Sequence, residues 1–230
     1  MGGFFGVVSD RDCVSDVYFG TDYHSHLGTS KGGMVVWNGS CFNRSIHNIE
    51  SAQFRSKFEA ELPAIQGNMG IGCISDTEPQ PLTVRSHLGD YAITTVGKIN
   101  NIEQIIAKAF RNPSIHFLET NKGKISPTEV VSAIIDRESS FEAGLSAVQD
   151  TVEGSCSVLL LTPKGIYAAR DKFGRTPILI GKKKNTLCAT FESCTFANLG
   201  YRQEYELGPG EIVLLTPDGM EKISPPRSTM

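Results

Sequence analysis

Residues 155–177 read SCSVLLLTPKGIYAARDKFGRTP, and this stretch decides the fold. Residues 157–161 form an apolar run of strand length. Pro163-Lys164-Gly165 is a turn, and 166–169 is a second strand-sized run. The same texture continues downstream at 177–180, 187–190, 201–207 and 211–215, with Pro217-Asp218-Gly219 as a further turn. There is no regular βαβ alternation and no glycine-rich phosphate loop. Such a pattern predicts an α+β domain in which antiparallel sheets are covered by helices.

Upstream, the segments supply the rest of that architecture. Gly3-Phe4-Phe5-Gly6-Val7-Val8 reads as a strand at the very start of the chain. A helix is expected over 12–26, marked by Val14, Val17, Tyr18 and Tyr23, and a strand over 32–37, with Asn38-Gly39 as a hairpin turn. Phe54, Phe58 and Leu62 fall four apart, predicting an amphipathic helix over 51–62 that Pro63 ends. Strands follow at 70–74 and 91–99, then a helix after Asn101 carrying Ile102, Ile105, Ile106 and Ala109. Ser126-Pro127-Thr128-Glu129 is a capping box with proline at the first helical position; Val130, Val131, Ile134 and Ile135 supply the buried face. A further helix spans about 140–152. Phe4, Phe5, Trp37, Phe54 and Phe58 are core candidates.

The 230 residues carry 22 Lys+Arg against 25 Asp+Glu, with 40% hydrophobic and 20% charged residues. A chain of this size buries roughly 70–75% of its unfolded surface and needs no metal or disulfide staple. The near-neutral balance gives no electrostatic argument for nucleic acid or an anionic membrane as partner. No apolar run approaches the ~20 residues of a membrane helix. The six cysteines, none in a CxxC pair, and a start without a basic n-region predict free buried thiols in a cytoplasmic, reducing setting. No cofactor or metal is expected. His24 and His26 are two apart on a predicted helix and do not share a face. His47, His87 and His116 read as isolated loop or surface residues, and Lys182-Lys183-Lys184 as a solvated hairpin end.

Three later segments point further. Residues 165–177 are similar to the pattern G-hydrophobic-Y-A-A-R-D-x-x-G-x-R-P. Phe191-Glu192-Ser193-Cys194 is similar to S-E-S-C/T, and Gly208-Pro209-Gly210-Glu211-Ile212 to E-P-G-E-I. In this order they resemble the class II glutamine amidotransferase domain of the amidophosphoribosyltransferase type, along nearly the whole chain. The resemblance implies a four-layer αββα sandwich of the N-terminal-nucleophile hydrolase kind, over residues 1–223. It also implies that 224–230 begin a linker to a C-terminal phosphoribosyltransferase-like domain; homo-oligomerisation is left open. In that family the initiator Met is removed, a Cys becomes the first residue, and its α-amine serves as base for thiolate attack on the glutamine side-chain amide. Cys194 matches a position the family fills with Cys and is expected to pack. Arg170-Asp171 is expected to be a structural, turn-stabilising ion pair.

The catalytic set of that resemblance does not carry over. The M-C-G-x-F-G opening corresponds to Met1-Gly2-Gly3-Phe4-Phe5-Gly6, so the nucleophile's position is Gly2. H-R-G becomes His26-Leu27-Gly28. In G-H-x-R-Y-x-T, matched by 72–77, the carboxylate-binding Arg becomes Ser75, a lone hydroxyl in place of a bidentate clamp. H-N-G-N becomes Thr95-Val96-Gly97-Lys98, with Val96 unable to donate to an oxyanion; one such donor typically contributes about 10²–10³ in rate. The Asp that holds the substrate amine becomes Pro127. Gly97, Ser126, Glu129 and Arg170-Asp171, which serve backbone geometry, remain.

Three functional readings follow. The first is a glutaminase-like domain without glutaminase activity, a scaffold or regulatory part of an amidophosphoribosyltransferase-like protein of purine biosynthesis. The second is an active amidohydrolase with displaced machinery, using Cys73 as nucleophile or a recruited partner chain. The third is a small-metabolite sensor that uses the emptied pocket, which Val96 and Pro127 should make weakly polar.

Overall fold

The computed structural model describes residues 2–111, 117–118, 120–121 and 123–227. Its elements run β1 (Gly2–Ser9), α1 (Val14–Asp22), β2 (Lys31–Trp37), β3 (Phe42–Asn48), α2 (Phe54–Phe58), β4 (Met69–Ser75), β5 (Leu82–Ser86) and β6 (Gly89–Ile99). Then come α3 (Ile102–Ala109), the two-residue strands β7 (Thr120–Asn121) and β8 (Lys124–Ile125), α4 (Pro127–Ile135) and α5 (Phe141–Thr151). The last third holds β9 (Gly154–Thr162), β10 (Gly165–Ala169), β11 (Leu179–Lys183), β12 (Thr186–Thr190), α6 (Cys194–Leu199), β13 (Arg202–Glu206), β14 (Ile212–Thr216) and β15 (Gly219–Ser224).

Two antiparallel sheets result. One is ordered β13-β11-β12-β1-β4-β2-β3, the other β15-β14-β10-β9-β6-β5. Side-chain alternation along β1 explains the layering. Phe4 and Val8 point between the sheets, where they meet Val96, Leu159, Leu161 and Ile166. Phe5 and Val7 point the other way, to Val14, Val17 and Tyr18 of α1, Phe54 and Phe58 of α2 and Phe196 of α6. The outer face of the second sheet, with Tyr91, Ile93, Leu160 and Tyr167, is covered by Ile105 and Ile106 of α3, Val130, Val131 and Ile135 of α4, and Leu145 and Val148 of α5. Both sheets are thus apolar on both faces, and the molecule is the expected αββα sandwich.

Several local expectations change. The helix expected over 51–62 is only α2; the chain then turns and forms a 3-10 turn, Leu62–Ala64, with Pro63 inside it. Proline disfavours the helical conformation of the residue before it, so the four-residue apolar spacing could not carry the helix to Leu62. The helix expected over 12–26 breaks after Asp22, and a second 3-10 turn covers Ser25–Leu27. At α4 only half of the capping box forms. Ser126 Oγ accepts the Glu129 N–H at 3.3 Å, but the Glu129 carboxylate turns away and accepts the Leu118 N–H at 2.6 Å.

Arg170 and Asp171 do not pair with each other. Arg170 donates to the Leu207 carbonyl, to the Gly174 carbonyl at 2.7 Å and to Glu206 at 3.1 Å, while Asp171 accepts the Thr176 and Phe173 N–H groups at 2.7 and 3.1 Å. Adjacent residues on an extended strand end point to opposite sides, so each braces a different part of the same loop. Four thiols are buried, but Cys41 and Cys194 are exposed, the latter because α6 opens with its first turn at the surface. Lys182-Lys183-Lys184 does end a hairpin, with Lys184 at φ 52°, yet Lys183 folds back to Asp16 at 3.0 Å. The expected linker segment, 224–230, opens on the last residue of β15. Beyond it Arg227 donates its N–H to the Pro209 carbonyl at 2.7 Å and its guanidinium to Asp150 and Ser146. His116 lies outside the described residues.

Candidate functional site

The expected site positions gather at one end of the sandwich. Gly2 opens β1 in the middle of the first sheet, directly opposite Ser75, the last residue of β4. Leu27, from the 3-10 turn after α1, stands over the neighbouring residue: a Cβ on Gly3 would lie 2.8 Å from Leu27 Cδ1 and 2.7 Å from His24 Cδ2. In the second sheet, Val96 and Gly97 lie opposite Ser157 and Cys156. Val96 turns into the inter-sheet core beside Phe4 and Cys73. Gly97 has φ 148°, and a Cβ there would meet the Ser155 carbonyl oxygen at 2.1 Å, so this backbone accepts only glycine. Pro127 is the first residue of α4, next to Thr128, whose hydroxyl lies 2.6 Å from that of Thr95.

At Gly2 there is no side chain and no space for one. A Cβ built there would stand 2.2 Å from the Ile74 carbonyl oxygen and 3.4 Å from Ser75 Cα. The Ser75 hydroxyl oxygen accepts the N–H groups of Thr77 and Glu78, each at 3.3 Å, so it stabilises a local turn. Cys73 lies on β4 opposite Phe4 and is 1% exposed. Its thiol donates to the Ile74 carbonyl at 3.4 Å, and burial pushes its pKa up to about 12. A thiol in that state supplies almost no thiolate at neutral pH.

Beside these positions lies a cluster that the sequence did not reveal. Glu78 is 2% exposed, and its carboxylate faces the N-terminus of α4. It accepts hydrogen bonds from Ser126 Oγ, from Thr128 Oγ1 at 2.7 Å, from the Thr128 N–H at 3.2 Å and from Gln80 Nε2 at 3.2 Å. Gln80 in turn accepts from Thr94 Oγ1 and the Thr95 N–H, both at 2.7 Å. The unsatisfied N–H groups and positive dipole end of a helix favour a carboxylate there. A hydrogen-bonded path therefore runs from Ser75 through Glu78 to Thr128 and Thr95. Val96 faces the inter-sheet core, and the polar groups beside it and Pro127 are bonded to one another. The one available sequence signal was a Glu within Glu78-Pro79-Gln80-Pro81, directly after a buried strand.

The rim is acidic. Asp76 accepts the Thr29 N–H at 2.7 Å; burial raises its pKa, but this bond and others outweigh it and hold the carboxyl below the usual range. Glu192 pairs with His26 at 2.8 Å and accepts the Cys194 thiol at 3.7 Å. Burial and that carboxylate push the Cys194 thiol up as well. Among the described residues, no group of three or more His, Cys, Asp or Glu side chains is placed to hold a metal ion. Among the described residues, no helix is long and apolar enough to cross a membrane.

His24, against Gly3, is fully buried and neutral. Its Nδ1 donates to the Gly20 carbonyl at 2.8 Å, and Nε2 lies 3.2 Å from Thr190 Oγ1. Burial pushes the imidazole down to about 4 from 6.5. The unfolded chain therefore binds one more proton than the native one between these values. Stability contributed by the neutral ring is complete above about pH 6.5 and falls as pH drops toward 4, by about 2 kcal/mol at pH 5. Urea unfolding at pH 7 and pH 5 checks this: His24→Asn should lose less stability than the parent on acidification, and equal losses would assign the effect elsewhere.

Comparison with known proteins then gives the following. A family profile described as "Glutamine amidotransferase domain" matches residues 68–196. The chain is 24% identical over 244 residues to the amidophosphoribosyltransferase of Escherichia coli (strain K12), covering 95% of the chain and 47% of that protein. It is 24% identical to that of Bacillus subtilis (strain 168), covering 95% and 47%. The chain thus spans about half the length of the curated relatives it matches. Among solved structures, the glutamine phosphoribosylpyrophosphate amidotransferase of B. subtilis, complexed with ADP and GMP, superposes with a TM-score of 0.88 at 23% identity, over 99% of this chain and 50% of that one. A glutamine aminotransferase class-II domain protein from Silicibacter pomeroyi gives 0.62 at 12%, over 96% and 97%. At these identities the structural likeness speaks to the fold.

Proposed function

The chain belongs to the glutamine amidotransferase domain family, and we propose that within it this domain does not hydrolyse glutamine. It serves as a scaffold or regulatory unit of an amidophosphoribosyltransferase-like protein of purine biosynthesis, in the cytoplasm. Residues 1–223 are the domain, and 224–230 lead toward a phosphoribosyltransferase-like partner domain. The observation that carries this reading is Gly2: the position that needs a thiol has no side chain, and a Cβ there would lie 2.2 Å from the Ile74 carbonyl oxygen. Chemistry that begins with attack by that side chain has no first step.

The surrounding residues support the same reading. Ser75 spends its acceptor on a turn, Val96 offers no donor, and Leu27 and Pro127 carry no charge. For the displaced nucleophile Cys73 the geometry gives no support, since its thiol has no basic partner among the described residues and is 1% exposed.

Incubation with a diazo-ketone glutamine analogue, with peptide mapping and an ammonia-release assay, tests the proposal. We expect no labelled cysteine and turnover on the order of 10⁶ below a nucleophile-bearing relative. Labelling of any thiol together with ammonia release overturns the proposal.

A further inference from the structure

We propose that the groove between α3, α4 and α5 binds a small anionic metabolite with an apolar portion, held by Lys108 and Arg137. The groove lies on the outer side of the second sheet and encloses about 430 Å³. Three helices and the turn after α4 contribute to it. Asn101, Gln104, Ile105 and Lys108 come from one face of α3 and its cap; Ile134 comes from α4, and Arg137 and Glu138 from the turn after it; Ala147 and Thr151 come from α5.

The lining is sorted by what is already satisfied. The acceptors that helix ends would turn toward the groove are occupied: the Thr151 carbonyl accepts Asn101 Nδ2 at 2.9 Å, the Ile134 carbonyl accepts the Arg137 N–H at 3.3 Å, and Asn101 Oδ1 accepts the Glu153 N–H at 3.0 Å. The donors are not. Among the described residues, the Lys108 ammonium and the Arg137 guanidinium have no carboxylate partner, and the Gln104 side-chain amide has no hydrogen bond. Two cations line one concavity against a single carboxylate, Glu138, and the net positive charge left there favours an anionic ligand. Ile105 and Ile134, both 6% exposed, and Ala147 provide an apolar wall for the rest of the ligand. Glu138 is the one acidic wall group and limits the ligand to a single anionic head. That head is a phosphate monoester or a carboxylate, and the probes below separate the two.

Isothermal titration with phenyl phosphate and with benzoate tests the assignment, with inorganic phosphate and phenol as single-feature controls. For the protein as it stands we expect one of the two composite probes to bind with a Kd of about 1 mM or tighter and both controls to bind more weakly. Lys108→Gln/Arg137→Gln should weaken that probe at least about tenfold, and Glu138→Gln should tighten it. Both variants alter exposed or partly exposed helix-end residues, and circular dichroism should show them folded. Methyl chemical-shift mapping should place the perturbation at Ile105, Ile134 and Ala147. The proposal is wrong if neither probe binds at about 10 mM, if the double variant binds as the parent does, or if the shifts fall elsewhere. Because this groove shares no residue with the positions around Gly2, the result is independent of whether glutamine is hydrolysed.

Discussion

Glu78→Ala should remove about 3–5 kcal/mol of folding stability, the largest effect expected of a single substitution near the site. The carboxylate accepts from Ser126, from both the N–H and the hydroxyl of Thr128, and from Gln80. Truncation leaves all of these donors without that acceptor in a place that is 2% exposed. It also removes the negative charge from the N-terminus of α4, where the helix dipole favours one. For a domain of this size the loss corresponds to a fall in melting temperature of about 10 °C. Glu78→Gln keeps the shape and one acceptor oxygen but turns an NH₂ group toward donors, so it should lie between parent and Ala. A cycle with Thr128→Val tests the cause. Once Thr128 is changed, the Ala substitution should cost at least about 1 kcal/mol less. Additive effects, or an Ala variant within about 0.5 kcal/mol of the parent, would mean that the cluster contributes little.

The second large effect is one of function. Gly2→Cys restores the missing thiol on paper, yet glutamine turnover should stay absent. The new Cβ would begin 2.2 Å from the Ile74 carbonyl oxygen, so β1 must separate from β4 where Gly2 faces Ser75. Overpacking of this kind typically costs about 1–3 kcal/mol. Even then Val96 offers no oxyanion donor and Ser75 no cation for the substrate carboxylate. The expected result is a less stable protein with no ammonia release above the parent. Turnover near 1 s⁻¹, an ordinary enzymatic value, would show that the seat is intact and lacks only its nucleophile.

Much of the fold is legible in the sequence because central elements bury residues on every side. Phe4 to Val8, Met69 to Ile74 and Val158 to Leu161 are apolar runs with no other way to be satisfied. What escapes notice lies at the edges. β3, β5 and β15 border their sheets and read FNRSIHN, LTVRS and GMEKIS, with too few apolar residues to stand out. Polar edges of this sort also discourage pairing with other chains. The six-residue α6 is too short for its periodicity to show. The candidate site is legible only as positions in motifs. That Gly2 faces Ser75, and that Leu27 presses on Gly3, depends on strand register, which composition does not encode. Glu78 is the clearest omission. A lone Glu between a strand and a proline reads as solvated, and only the tertiary approach of Ser126 and Thr128, 48 and 50 residues away, buries it.

The position of β1 has a consequence for how the polypeptide is made. Its partners are β4 and β12, and residue Phe5 pairs with Thr190. β1 is therefore flanked on one side by residues translated roughly 10–40 s after it, at about 5–20 residues per second. Until then one row of its main-chain donors and acceptors, together with Phe4, Phe5, Val7 and Val8, stays open to chaperones and to neighbouring nascent chains. The sheet's centre closes late, so a premature stop ahead of Thr186 should leave a product that cells clear by proteolysis.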